Sequence, residues 1–426
     1  MSAPTQTRDP YPDALRACAL IVVVLGHWLA TLPRVVDGRL AETDHLLAVW
    51  DAAGFLTWMV QVVPLFVFVS AAVSADGVER RVAQGGQMAW WASRALGLAR
   101  PTVTYLAAVV LLAAVALATG GRLLGVFNHS LTVHLWFLLM LLTVQTLLPW
   151  CLRLDRRFGL AAVAALVLAA ALLDVLRADA SSIDDLRRLG RRVSEHPAGV
   201  AWFNMLVVWL LPQQLGIAWK RGRFRGVGAG AAFLALGALW LVLAMASGYP
   251  VAMVGVSLAG NNMLPPTLAL VGVMWLQVGA VLLFEPLARR LLAGRTLARA
   301  IAVLGALGMP LYLWHKLAEL PAAWLGEKLG LPIDAGLPGE PGFWAGRAWW
   351  IALCALAVAP VVAAVVRFEL RRDREVPVTD RTWAIVLGGI ALYAGLASAL
   401  VWGVWPGAAV GLVAVALASR RLRRRG

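Results

Sequence analysis

Apolar runs of about twenty residues recur along this chain from Ala17 to Leu417, and nothing else in the sequence restricts its fold so tightly. A helix needs about 20 residues to cross ~30 Å of hydrocarbon, where every backbone polar group must be satisfied within the protein. Twelve candidate spans fall at roughly 17–33, 54–75, 101–119, 131–150, 158–176, 201–219, 227–246, 266–286, 300–315, 346–366, 382–401 and 403–419. The 426 residues are 61% hydrophobic and 14% charged, which leaves no room for a separate soluble domain of ordinary size. The expected fold is an all-α polytopic membrane protein, a bundle of about 10–12 transmembrane helices. The opening "MSAPTQTRDPYPDALR" carries no short apolar region ending in a small-residue cleavage site, so the first run reads as a retained helix.

Placing the N-terminus in the cytoplasm puts 27 of the 38 Lys and Arg on the inner side and 11 on the outer. Both termini are therefore expected to be cytoplasmic, in a cell membrane, with the terminal "RRLRRR" lying on anionic lipid. The same bias accounts for the net charge of +15, so membrane lipids and not nucleic acid are the expected partners. The loop between the fifth and sixth spans breaks the pattern. Its "SSIDDLRRLGRRVSEH" carries Ile183, Leu186, Leu189 and Val193 at helical spacing, which predicts a short amphipathic helix on the outer surface. A second long outer loop, about 316–345, is rich in Pro and Gly and is placed to cap an outward-facing cavity. Cys18, Cys151 and Cys354 are scattered through apolar runs, and neither "HExxH" nor "GxSxG" occurs, so no disulfide framework, metal site or serine elbow is expected.

Within "LRACALIVVVLGHW" an arginine, Arg16, precedes the first span and a histidine, His27, lies deep in it. Eleven residues at ~100° each bring the two side chains within ~20° of one helical stripe, and ~1.5 Å per residue separates them by ~16 Å. Arg16 would sit at the inner headgroup level and His27 near mid-membrane. A buried histidine can simply bond between helices. Ionisable groups at that depth more often mark a site. His134, opening the fourth span, and His315, closing the ninth, reach the outer half of the membrane from two other spans. His45, His129 and His196 fall in outer loops.

These residues resemble the membrane acyltransferase family 3. "YPDALRACALIVVVLGHW" is similar to its opening signature, a basic residue, ten positions, then histidine, with an acidic residue (Asp13) three before. "HLWFLLMLL" resembles its tryptophan-containing fourth helix, and "PLYLWHKL" its late "YxxWH" segment. "VPLFVFVSAAVSA" resembles its second-helix segment, with Ala71 where glycine is usual, and "RALGLARP" its basic stretch before the third helix, with Gly97 in place of a second arginine.

The resemblance implies an acyltransferase that moves an acyl group, often acetyl, from a cytoplasmic acyl-CoA donor to a hydroxyl of a sugar, lipid or other cell-envelope acceptor. It implies that residues 1–370 form the transmembrane acyltransferase domain, with two additional spans and a basic tail over 371–426. His27 is the expected catalytic residue, as general base or as transient acyl carrier. Arg16, Arg94 and Arg100 are expected to hold donor phosphates, although the positive-inside rule alone also places arginines there. Asp13, His134, Trp136, Trp314 and His315 complete the expected cavity, and no cofactor beyond acyl-CoA as co-substrate is expected. The Ala-, Arg- and Gly-rich composition suggests a bacterial source. Two other classes fit part of the pattern: a polytopic transporter, against which stands the lack of an internal repeat, and a non-catalytic relative of the family.

Overall fold

A computed structural model describes residues 9–195, 199–255, 260–334, 336–372 and 377–424; His196 lies outside them. The structure is 79% helical, and among the described residues ten helices are long and apolar enough to cross a membrane, or eleven counting Ser130–Thr146 with Leu148–Phe158, bent by 49° at their junction. The last of the ten, Thr382–Leu422, is broken at Gly403–Ala408. Its two limbs run side by side, with Gly395 and Gly411 at a contact so close that a Cβ on either would meet the other limb within 3 Å. The two final spans read from the sequence are these limbs.

Two compact units share the chain. The first gathers the stretch up to Val23, Ala52–Gly77 and Trp150–Gly308; the second gathers Val24–Asp51, Val78–Pro149 and Met309–Gly426. The first helix, α1 (Pro10–Ala30), starts as local chemistry dictates. Asp9 Oδ1 accepts from the Tyr11 amide at 3.1 Å, Pro10 takes the first helical position where its missing N–H costs nothing, and Asp13 lies in the first turn.

In the first unit, α3 (Ala53–Val60) and α4 (Val63–Ala83) are two pieces of one crossing, parted at Gln61. The break exposes backbone at membrane depth, and neighbours satisfy it. The Gln61 carbonyl accepts from Gln277 Nε2 at 2.6 Å, and its side-chain amide donates to the Met253 carbonyl at 3.3 Å. Gly216 lies against α4 so closely that a Cβ there would overlap the Phe68 carbonyl oxygen, the close approach that small residues permit.

In the second unit, α1 runs directly into a two-stranded antiparallel hairpin, β1 (Thr31–Val36) and β2 (Arg39–His45), which the all-helical reading did not contain. Thr31 pairs with His45 and Leu32 with Asp44. Thr31, Leu32 and Pro33 are buried in succession, and Leu40 with them, so the ribbon is covered on both faces where it leaves α1. Arg34 ties it down through Asp44 at 2.6 Å and the Gly336 carbonyl at 2.8 Å, while the Val35 amide donates to Asp334 at 2.8 Å. The short helix α2 (Leu46–Val49) follows. Further on, α5 (Gln87–Thr119) is one 33-residue helix with Pro101 inside it.

Two sequence expectations need correction. The stretch after residue 181 is two short helices, Ile183–Arg187 and Leu189–Glu195, in place of one amphipathic helix. Leu189 and Val193 are buried, whereas Ile183 and Leu186 stay exposed because the break at Arg188 takes them out of phase. The loop expected over about 316–345 contains the helix Glu319–Leu329, closed by Gly330 in a left-handed conformation, ahead of irregular chain that leads to Phe343.

Candidate functional site

The second unit brings all three singled-out membrane histidines together. His27 arrives on α1, His134 just before the helix Trp136–Thr146, and His315 just after the helix Arg295–Trp314. His27 Nδ1 and His315 Nε2 are 2.7 Å apart, and the two rings are nearly parallel, 12° between planes. His315 Nδ1 is in turn 2.7 Å from the Tyr312 carbonyl. A carbonyl can only accept, so His315 carries its proton on Nδ1 and, as a neutral ring, presents a lone pair at Nε2. His27 must then donate from Nδ1. Its Nε2 is left with a lone pair and, among the described residues, no hydrogen-bond partner. Trp28 steadies the pair by donating to the His315 carbonyl at 3.0 Å.

This is the arrangement an imidazole base requires: one nitrogen held by an orienting acceptor, the other open for a proton or an electrophile. The orienting group is a second histidine that is itself fixed by a backbone carbonyl. A membrane histidine acting only as interhelical glue would make the first bond, and no geometric requirement would keep its other nitrogen unpaired.

His134 stands edge-on to His315, ring centroids 5.4 Å apart, and bonds to neither histidine. It is 2% exposed, and neither of its nitrogens has a partner of full hydrogen-bond geometry. Tyr105 from α5 and Tyr312 meet its ring at 5.4 and 5.6 Å. The Tyr312 hydroxyl donates to the His134 backbone carbonyl and the Tyr105 hydroxyl to that of Leu131. Trp314 packs on Tyr105 at 5.6 Å, which puts it in the wall of the cluster. Trp136 packs on Phe137, which packs on Tyr312, one layer further out.

Beneath the histidines lies a charged group that the sequence reading assigned to a loop. Lys316 Nζ is 2.5 Å from Glu319 Oε1 and 3.1 Å from Thr31 Oγ1. Thr31 Oγ1 lies 3.0 Å from the His27 carbonyl, where it can donate, and 3.2 Å from Glu319 Oε1. Arg347, 1% exposed, donates to the Thr31 carbonyl at 2.6 Å and the Ile333 carbonyl at 2.9 Å. The end of α1 that carries His27 is therefore held by an ion pair and a guanidinium inside the protein. Burial pushes the Glu319 carboxyl above its ordinary value, against the pull of Lys316.

Lys316 and Glu319 directly continue the "YLWH" segment at the i,i+3 spacing of a helical ion pair. Continuing that period past His315 would have found them. The roles of Thr31 and Arg347 had no such signal, because packing alone brings their partners to them.

The remaining expected residues fall into separate places. In the first unit Arg16 Nη2 donates to Ser70 Oγ at 3.3 Å, and Arg16 Nη1 is 3.9 Å from Asp13, a long ion pair. Arg94 and Arg100 both stand on α5 in the second unit; six residues of helix turn them about 120° apart, so they share no face. Gly97, between them, has nothing within 4 Å of where a Cβ would be. Packing therefore does not require glycine at that position.

A family model described as an acyltransferase domain matches residues 9–366 of the 426. Comparisons with curated proteins and with solved structures return no match.

Proposed function

Because the chain belongs to the acyltransferase 3 family, we propose that this multi-pass membrane O-acyltransferase moves an acetyl group from cytoplasmic acetyl-CoA to a hydroxyl of a glycan or lipid in the cell envelope of a bacterium. The observation that carries the reading is the His27–His315 pair, with its one unengaged nitrogen.

His27 Nε2 takes the proton of the acceptor hydroxyl as its oxygen attacks the acyl carbon. The C–O bond forms, the C–S bond breaks, and the proton passes to the departing thiolate. In the variant with an acyl-histidine, Nε2 attacks first and the same proton balance is reached over two steps. His315 keeps the His27 ring in the required tautomer throughout. Arg16, Arg94 and Arg100 are assigned to the donor's phosphates, Asp13 to orienting Arg16, and His134, Trp136 and Trp314 to the wall that excludes water. In this reading both termini are cytoplasmic and the donor enters from that side.

The test is release of CoA thiol from acetyl-CoA by the detergent-purified protein, together with a mass-spectrometric comparison of envelope glycans and lipids from cells with and without it. Turnover that His27→Ala abolishes, and an acetyl ester that disappears with the protein, are expected. A protein that neither turns over nor binds acetyl-CoA would overturn the reading in favour of transport or a non-catalytic role.

A further inference from the structure

His45, set aside in the sequence as a loop residue, ends β2 directly opposite Thr31. Residues paired across an antiparallel ladder point to the same face, with Cβ atoms about 5 Å apart. The Thr31 side chain on that face reaches Lys316, Glu319 and the carbonyl of His27. The hairpin register therefore puts the His45 imidazole over the group that holds the catalytic helix end. The ribbon bearing it is fixed by Arg34, Asp334 and Arg347, so the ring is delivered by a rigid element.

Its tautomer follows from its neighbours. His45 Nδ1 accepts from the Leu47 amide at 3.2 Å, as the N-cap of α2. The neutral ring must then carry its hydrogen on Nε2. Burial, with Lys316 nearby, lowers His45 to about 4, so the ring is neutral at ordinary pH. Its Nε2–H has no hydrogen-bond partner among the described residues. The cap uses only one of the two nitrogens, and asparagine would serve that purpose as well.

We propose that His45 binds the acceptor, donating its Nε2–H to an oxygen of an uncharged hydroxyl compound whose reacting hydroxyl faces His27 Nε2. One site edge then gives a hydrogen bond and the other receives one. That suits a molecule with neighbouring hydroxyls, such as a sugar ring. The proposal rests on the acyl-transfer reading above and goes further by assigning the acceptor side of the site to the hairpin.

Three substitutions separate binding from capping. Asparagine keeps an oxygen where Nδ1 was and loses the distal donor. Glutamine places an amide N–H near the position of Nε2 and caps poorly. Alanine removes both. Each variant is read twice: CoA release from acetyl-CoA by purified protein with water as the only acceptor, and base-releasable acetate on envelopes of a deletion strain carrying the variant. His45→Asn and His45→Ala are expected to lower envelope acetate about tenfold, the worth of one hydrogen bond, while leakage to water persists and His45→Gln recovers most of the transfer. Wild-type transfer by His45→Asn with loss in His45→Gln would make His45 a helix cap only and overturn the proposal. Equal loss of transfer and leakage in all three would place it on the dyad instead and equally overturn it. A wild-type protein with neither leakage nor envelope acetate would instead sink the acyl-transfer reading itself, and the His45 assignment with it.

Discussion

Asp174 and Glu319 are both fully buried carboxylates, one in each unit, and they are held in opposite ways. Asp174 Oδ2 receives the Tyr249 hydroxyl at 2.9 Å and the Leu268 amide at 2.8 Å, and Oδ1 receives Asn204 at 3.1 Å. The Leu268 amide belongs to the first turn of the helix Leu268–Leu292, so the carboxylate also meets a helix dipole. Both of its oxygens are occupied by donors from three separate segments, as in a clamp. Glu319 uses Oε1, toward Lys316 and Thr31; its Oε2 is buried and has no hydrogen-bond partner among the described residues. Native proteins rarely leave a buried charged oxygen unmatched without a reason in function. The first arrangement has a donor on each oxygen. The second keeps unused capacity beside a histidine pair that also keeps an unused nitrogen.

This contrast predicts that substitutions in the histidine cluster cost rate, while those around Asp174 cost stability. The largest effect is expected at His27. His27→Ala should lower acyl transfer about 10²–10⁴-fold, with melting temperature and membrane insertion unchanged. His27→Asn is sharper, since asparagine can place an amide N–H where Nδ1 was and still donate to His315, but takes no proton at neutral pH. Near-normal transfer by a folded His27→Asn protein would reduce the pair to a structural hydrogen bond and erase the contrast.

Asp174→Ala should do the reverse. It leaves the Tyr249 hydroxyl, the Leu268 amide and Asn204 without their acceptor, at a cost of about 2–4 kcal/mol in stability. Thermal melts in detergent should fall, while CoA release per folded molecule holds. A folded Asp174→Ala protein with much reduced turnover would show that the clamp reaches the chemistry.

The donor arginines come next. Replacing Arg16, Arg94 or Arg100 by glutamine should raise the apparent KM for acetyl-CoA by roughly 10- to 150-fold if each holds a phosphate, and high salt should shrink the effect at exposed sites. Unchanged donor kinetics in all three would leave them as topology determinants.

What the sequence disclosed and what it hid follow the same division. Apolar run length located nearly every helix long enough to cross, because lipid imposes it locally. The phase of Arg16 and His27 on α1, and the histidines ending two other spans, were legible for the same reason. That His27 and His315 share a hydrogen bond was not, since their 288-residue separation is closed only by packing. The hairpin was hidden by its composition: "TLPRVVDGRLAETDH" alternates poorly, contains Pro33 in a strand, and has a register shift between Arg34 and Val35. Without it, His45 was only a loop residue. Its turn, Asp37–Gly38, with both residues at positive φ, was the one local signal for a hairpin.

The smallest expected effect tests the unmatched carboxylate most directly. Removing Glu319 alone would strand the Lys316 ammonium inside the protein, and breaking a buried pair from one side is strongly destabilising whatever its function. Replacing both partners avoids that, because a buried ion pair exchanged for neutral groups of similar size is often close to neutral in stability. The double variant Lys316→Met, Glu319→Gln should therefore fold with a melting temperature near that of the wild type. The introduced glutamine can still bond Thr31, so the end of α1 keeps one of its ties, and Arg347 keeps the other at the Thr31 carbonyl. What is lost is the charge pair beside the histidines, whose field favours a fixed orientation of His27 as its Nε2 gains a proton. Transfer should slow about tenfold, the low end of what one charge-assisted hydrogen bond contributes, with KM for the donor unmoved. A double variant that transfers at the full rate would show that the pair beneath the histidines, like the clamp at Asp174, serves only to hold segments together.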